Sequence, residues 1–342
     1  MLEAVQLGNS GLRVSELCLG TMNFGIPGRG HQGDWTLTLE EARPIVKAAI
    51  DHGLFYFDCA DIYGLGASEE VVGALLKELL PRDEYVLATK IAMPMGRGAN
   101  QGGLSRKHVR EGIDACLQRT GHDYIDHLVI HRHPHGIPRS ARTPIEETLE
   151  ALHDAVKEGK VLYLGGSSMF AWQFAELQLT AKMNNWTPFV SMQNHHNLVY
   201  REEEREMNPY CASTGVALTP WSPLARGILA GSYQGGFSGG STSRSQGQDR
   251  KRTEGLYQGD HVFPIAERVI ETASKYECSP AQIAVAWLKG RPEVTSPIVG
   301  VSKVSQLEDL VAAAAIELAD EDVAYLEELY QPVENLLSIG TS

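Results

Sequence analysis

Four polar residues stand at or just beyond the ends of short apolar runs. Asp58 follows Phe55-Tyr56-Phe57, Tyr63 lies five positions later, Lys90 closes Val86-Leu87-Ala88-Thr89, and His131 closes Leu128-Val129-Ile130. A phenol, an ammonium, a carboxylate and an imidazole in one place suit delivery of a proton to a carbonyl oxygen while hydride arrives at the carbon. Tyrosine alone ionises near about pH 10, and a neighbouring ammonium favours the phenolate, so Lys90 is expected to lower the pKa of Tyr63. Asp58 would hold that ammonium in place, and His131 would orient the carbonyl through a hydrogen bond. Taken singly, each is an ordinary strand-end group. Their shared position at strand ends is what argues for chemistry.

Residues so far apart in sequence converge if every strand runs the same way and the C-terminal ends meet on one face, as in a parallel barrel. The chain reads that way. After two short apolar stretches around the turn Gly8-Asn9-Ser10-Gly11, which predict a hairpin, β-like runs alternate with segments of helical period. The strands are predicted at 17–20, 54–57, 85–89, 125–130, 161–164, 189–192, 216–219 and 296–299. The helices follow from Thr38, where Thr38-Leu39-Glu40-Glu41 fits a capping box, and at 67–80, 105–119, 144–157, 170–183, 201–212, 262–276, 280–289 and 303–316. The expected fold is an α/β (β/α)8 TIM barrel with an N-terminal β-hairpin and a long loop on the C-terminal face, one domain over residues 1–342 with a tail at 331–342. The Gly- and Ser-rich stretch 231–259 follows the seventh strand, on the rim where barrel active sites lie, and is read as a mobile cofactor or substrate loop.

The 342 residues carry 30 Lys and Arg against 43 Asp and Glu, a net charge of −13, which argues against nucleic acid or an anionic membrane as main partner. The five cysteines are scattered without a C-x-x-C pair and read as reduced thiols. With no apolar run long enough for a membrane span and no apolar leader after MLEAVQLGNSG, the chain is expected to be soluble and cytoplasmic.

The phrases FDCADIYG, LATK and IDHLVIHR resemble the aldo-keto reductase superfamily, and EGKVLYLGGSS, VSMQNHHNLVYREEERE, TPWSPLARGILAG and SPIVGVSKVSQLEDL agree in family order across residues 17–316. TPIEETLEALHDAVKEGKV and WSPLARG are most similar to the aryl-alcohol dehydrogenase-like branch. The resemblance implies NADPH-dependent reduction of an aldehyde or ketone to the alcohol, with Asp58, Tyr63, Lys90 and His131 as the catalytic tetrad. Carried over by position, Gly20, Thr21 and Met22 would contact the cofactor from the first strand, and Ser167, Ser168 and Gln193 would bind the nicotinamide carboxamide. Trp221 would stack on the nicotinamide ring, and Ser222, Leu224 and Gly227 would lie along the pyrophosphate. Gly300, Ser302, Lys303, Gln306 and Asp309 would surround the adenosine end. This chain departs from the family pattern at Ser168, in place of a frequent Asn, at Gln306, in place of Arg, and at Leu310, in place of an adenine-contacting Asn.

Phe24, Trp35 and His133 are candidate substrate contacts, and the aromatic lining favours an aromatic or bulky carbonyl compound over a highly charged one. Arg132 is either a substrate contact or half of a structural ion pair. No metal is expected. His127, His131, His133 and His135 invite one, but no Cys or carboxylate completes a ligand spacing and Pro134 and Pro138 break the strand. Gly28-Arg29-Gly30-His31-Gln32-Gly33 fits G-x-G-x-x-G without opening a helix from a strand, and Gly236-Phe237-Ser238-Gly239-Gly240 fits G-x-S-x-G inside low-complexity sequence, so neither is read as a site. The run 201–206 reads as a solvated helix face. Two other functions compete with reduction. One is a cofactor-binding regulatory subunit resembling the potassium-channel β subunits, which often lack the tetrad histidine present here. The other is a barrel lyase using Lys90 or Lys160 as a Schiff-base amine.

Overall fold

The computed structural model describes residues 1–30, 35–137, 142–233, 235–247 and 249–330. The chain opens with the expected hairpin, β1 (Ala4–Gln6) antiparallel to β2 (Arg13–Ser15). Gly8 in its turn has φ 56°, and a Cβ there would lie 2.5 Å from the Val190 carbonyl oxygen and 2.8 Å from the Ala217 nitrogen. The hairpin therefore plugs the end of the sheet where those strands begin.

Eight parallel strands follow: β3 (Cys18–Gly20), β4 (Tyr56–Asp58), β5 (Val86–Ile91), β6 (Ile125–Ile130), β7 (Val161–Ser167), β8 (Phe189–Gln193), β9 (Ala217–Leu218) and β10 (Ile298–Val299). They pair in the order β10-β3-β4-β5-β6-β7-β8-β9. Parallel bridges Leu218↔Val294 and Trp221↔Ile298 bring the two edges together and close the barrel. The helices between the first seven strands are α1 (Leu39–Asp51), α2 (Ala67–Leu79), α3 (Arg106–Thr120), α4 (Ile145–Lys157), α5 (Ala171–Met183) and α6 (Met207–Thr214). Their starts are chemically specified. Thr38 and Glu41 form the predicted capping box, and the Ser105 hydroxyl accepts from the His108 N–H.

Three expectations change. The helix predicted from 201 begins at Met207, which places Pro209 in the first turn, where its missing N–H costs no helical hydrogen bond. Residues 202–204 instead form a single 3-10 turn with Glu202 and Glu203 buried. Glu202 accepts from Tyr330 Oη and Arg205 Nε at 2.6 Å each, and Arg201 pairs with Glu204 and Glu327, so the run predicted to be a solvated face is largely an ion network inside the fold. The stretch 231–259 is not all loop: it contains α7 (Ser243–Gln246), whose Thr242 cap accepts from the Ser245 N–H, and α8 (Asp249–Leu256). After α9 (Val262–Lys275), α10 (Pro280–Lys289) and α11 (Val304–Ala312), an unpredicted α12 (Asp320–Glu327) begins with three acidic residues, which complement a helix N-terminus. The tail at 331–342 lies outside the described residues, as does the His31-Gln32-Gly33 part of the G-x-G-x-x-G match. Among the described residues no helix is long and apolar enough to cross a membrane.

Inside the barrel, His127 on β6 bonds Tyr56 Oη through Nδ1 and Ser191 Oγ through Nε2, both at 2.8 Å. Burial pushes its pKa down to about 3, so it is a neutral core imidazole with both ring nitrogens taken by these bonds. Gly165 on β7 leaves room for this triad: a Cβ there would sit 2.4 Å from His127 Nε2 and 2.5 Å from Ser191 Oγ. Gly165→Ala is expected to lower stability by about 1 to 3 kcal/mol through overpacking, read as a lower urea midpoint at unchanged slope.

Candidate active site

Asp58 ends β4, Lys90 is the penultimate residue of β5, and His131 follows β6, so the barrel register carries all three to its C-terminal face. Tyr63 arrives from the turn after Asp58, whose Tyr63–Gly66 segment uses Gly64 at φ 58° and Leu65 at φ 50° to reverse direction. Lys90 Nζ donates to Asp58 Oδ2 at 2.6 Å, to the Cys59 carbonyl at 2.8 Å and to Tyr63 Oη at 3.3 Å. The Tyr63 and His131 rings meet edge to face with centroids 5.9 Å apart. His131 Nδ1 is buried without a hydrogen-bond partner among the described residues.

Electrostatics separate these groups. Burial pulls the Lys90 ammonium down, but Asp58, then Tyr63, more than compensate, so its pKa stands above the ordinary lysine value. Burial pushes the Tyr63 phenol up and Lys90 pulls it back; the net direction is upward, opposite to the sequence expectation, because a partly buried phenolate loses more hydration than one ammonium shared with Asp58 returns. Burial, then the positive charges of Arg132, Lys90 and Arg252, hold His131 well below the histidine range, so its imidazole is neutral.

Several expected cofactor residues tie this cluster to the neighbouring strands. Gln193 Nε2 donates to Asp58 Oδ1 at 3.0 Å, Ser167 Oγ donates to the Gln193 carbonyl at 2.9 Å, and Trp221 Nε1 donates to Ser168 Oγ at 3.0 Å. Gly20 is packed against Ile298, and buried Thr21 bonds the Asp58 carbonyl through both its N–H and its hydroxyl. Met22 is partly buried beside it. Ser222 at φ 56°, Ala225 at 46°, Arg226 at 57° and Gly227 at 100° make the turn around Leu224 left-handed, a conformation that costs non-glycine residues about 1 to 3 kcal/mol each. Lys303 caps α11 with its side chain exposed, beside Gly300, Ser302 and Gln306, and the Gln306 amide oxygen accepts from the Ser302 N–H at 2.8 Å. Asp309 faces α10, where its carboxylate accepts from the Ser279 hydroxyl at 2.6 Å, and Leu310 is buried in the core.

The substrate candidates divide. Phe24 has 0% exposure and packs in the core with Leu19 and Leu37, so it lines no open surface, contrary to expectation. Trp35 is partly buried. His133 is buried, its Nδ1 accepting from the His135 N–H at 3.2 Å and its Nε2 unpartnered among the described residues, and burial pushes its pKa down to about 4. Lys160 stands before β7, at the opposite end of the barrel, and is ion-paired to Asp114 at 2.7 Å. No three His, Cys, Asp or Glu among the described residues are grouped to hold a metal.

The sequence reading missed the layer beneath Trp221. His195 stacks on Trp221 at 4.0 Å and 7°, and Tyr200 stacks on the other side of His195 at 4.2 Å and 14°. His195 Nε2 also bonds Tyr257 Oη at 2.8 Å, which ties the ring stack to the segment just after α8. The signal was the QNHHN string, which begins with Gln193 at the end of β8.

Comparison with known proteins agrees with this architecture. The Aldo/keto reductase family model matches residues 16–331. A putative aryl-alcohol dehydrogenase of Schizosaccharomyces pombe is 44% identical over 96% of this chain and 95% of its own length. Versiconal hemiacetal acetate reductase of Aspergillus parasiticus is 40% identical over 97% and 98%, and a putative aryl-alcohol dehydrogenase of Saccharomyces cerevisiae 34% identical over 97% and 98%. Barrel, strand-end cluster and near full-length similarity together make the chain a member of the aldo/keto reductase family, an oxidoreductase.

Proposed function

We propose that the protein reduces an aldehyde or ketone, aromatic or bulky, to the alcohol using NADPH, with Tyr63 as proton donor. The observation that carries this is the Asp58–Lys90–Tyr63 chain of contacts, which directs an ammonium at a phenol beside a neutral imidazole. Asp58 and the Cys59 carbonyl fix Lys90. Lys90 then steadies negative charge on Tyr63 Oη as the phenol gives its proton to the carbonyl oxygen, and neutral His131 can donate a hydrogen bond to the same oxygen.

The residues present fit a dinucleotide. Trp221 has one face covered by His195, leaving an aromatic platform beside Ser168 and Gln193 for the nicotinamide. The left-handed turn at 222–227 suits the pyrophosphate, since backbone strain of this kind concentrates at ligand sites. Gly300, Ser302 and Gln306 would meet the adenosine end. Asp309 is already committed to Ser279. A bound reduced nicotinamide would supply the hydride. Mixing the purified protein with NADPH and benzaldehyde tests the reading: loss of reduced-nicotinamide absorbance with appearance of benzyl alcohol supports it, and tight cofactor binding without turnover of any aldehyde refutes it in favour of a regulatory cofactor-binding role.

Preference for NADPH rests on Lys303, a full positive charge at the N-terminus of α11, where free N–H groups already favour an anion. Lys303→Ala is expected to weaken NADPH binding by about 1 to 3 kcal/mol, the worth of a charge-assisted hydrogen bond, and to leave NADH binding nearly unchanged. Titration of both nucleotides checks it. Equal weakening would mean that Lys303 does not read the 2′-phosphate.

A further inference from the structure

Every strongly buried charge invites the question of what neutralises it. Arg82, Arg119, Arg201 and Arg226 are partly buried and each holds a carboxylate, Asp126, Glu69, Glu204 and Asp249 respectively. Arg132 does not. It directly follows His131, is partly buried, donates through Nη1 only to the His131 carbonyl at 2.5 Å, and pairs with no carboxylate among the described residues. A guanidinium withdrawn from water without a counter-charge is costly, because the lost hydration is not returned by an ion pair. Its position is not remote. Arg132 lies close enough to Tyr63 and His131 to act on both electrostatically, and the same holds between it and Arg252 on α8, an exposed arginine with no ion pair among the described residues. Two residues beyond His131, His133 adds a buried Nε2 with no partner among the described residues.

We propose that Arg132, helped by Arg252, is the anion-binding group of the substrate mouth and that the preferred carbonyl substrate carries a carboxylate away from its reactive carbon. The inference rests on the reductase reading and narrows its substrate class, departing from the sequence expectation of a weakly charged one. The planar guanidinium matches a carboxylate in two parallel hydrogen bonds, which fixes the orientation of the substrate as well as its affinity. The overall charge of −13 makes the local exception more telling: long-range attraction does not favour an anion here, so a grip on one must be local.

The test compares para-carboxybenzaldehyde with its methyl ester at low salt. The wild-type protein should favour the acid in kcat/KM by about tenfold or more, mostly through KM, and added salt should shrink the ratio. In Arg132→Gln the ratio should fall to about one, and Arg132→Lys should restore part of it. Arg252→Ala, on an exposed site where misfolding is not a concern, should lower the ratio by a smaller factor of about two to five. Reduction of neither compound would overturn the reductase reading itself, and this proposal with it. Reduction of both with equal efficiency by the wild type would leave that reading standing and overturn this one. So would a ratio that survives Arg132→Gln, or a change confined to the KM for NADPH, which would make Arg132 a cofactor contact.

Discussion

Tyr63→Phe is expected to lower kcat for carbonyl reduction by about a hundredfold to ten-thousandfold while leaving the Kd for NADPH within about twofold, because general acid catalysis supplies that much and the phenol is not part of the proposed cofactor grip. The substitution removes one oxygen. The ring stays against His131, and Lys90 remains over it with Nζ 4.7 Å from the ring centroid. Since burial holds the phenol protonated above its ordinary value, wild-type reduction should lose no rate to Tyr63 ionisation until the pH passes about 10. Steady-state kinetics with benzaldehyde, paired with a fluorescence titration of nucleotide, measure the two halves separately. Retention of a tenth of kcat would remove Tyr63 from the role of proton donor.

The sequence announced the barrel because its signals are local: helix caps at Thr38 and Ser105 and apolar runs such as 125–130 are set by neighbours within a few residues. The strand-end cluster was readable for a related reason, since parallel strands of a barrel deliver their ends to one face wherever they lie in the chain. What stayed hidden depends on three-dimensional surroundings. A charged run such as 201–206 looks the same whether water or Tyr330 and Glu327 receives it. The balance between burial and Lys90 at Tyr63 cannot be read from spacing, because it turns on how completely the phenol is enclosed. Phe24 looked like a pocket residue by position and is core by packing. That Asp309, read as an adenosine contact, also accepts from the Ser279 hydroxyl depends on how α10 and α11 meet. That Arg132 meets no carboxylate among the described residues is likewise a fact of geometry, invisible in HRHPH.

The other large effect concerns the charge pair beneath Tyr63. Lys90 and Asp58 side chains are 0% and 3% exposed, and their contact is 2.6 Å. Replacing Lys90 by Met keeps the volume and removes the cation, stranding a buried carboxylate that, among the described residues, only Gln193 still meets. Breaking a buried pair in this way costs about 3 to 5 kcal/mol, so Lys90→Met should fall markedly in urea midpoint. It should also lose nearly all reduction, since Tyr63 is deprived of the charge that opposes its burial. Loss of activity in such a variant is ambiguous by itself. The double variant Lys90→Met, Asp58→Asn resolves it: with neither charge present the desolvation penalty is gone, and stability should return to within about 1 to 2 kcal/mol of the wild type. Activity should not return, because the ammonium that acts on Tyr63 is still missing. Recovery of both stability and turnover would show that Lys90 serves the fold alone, and recovery of neither would show that the two residues do not act as a pair.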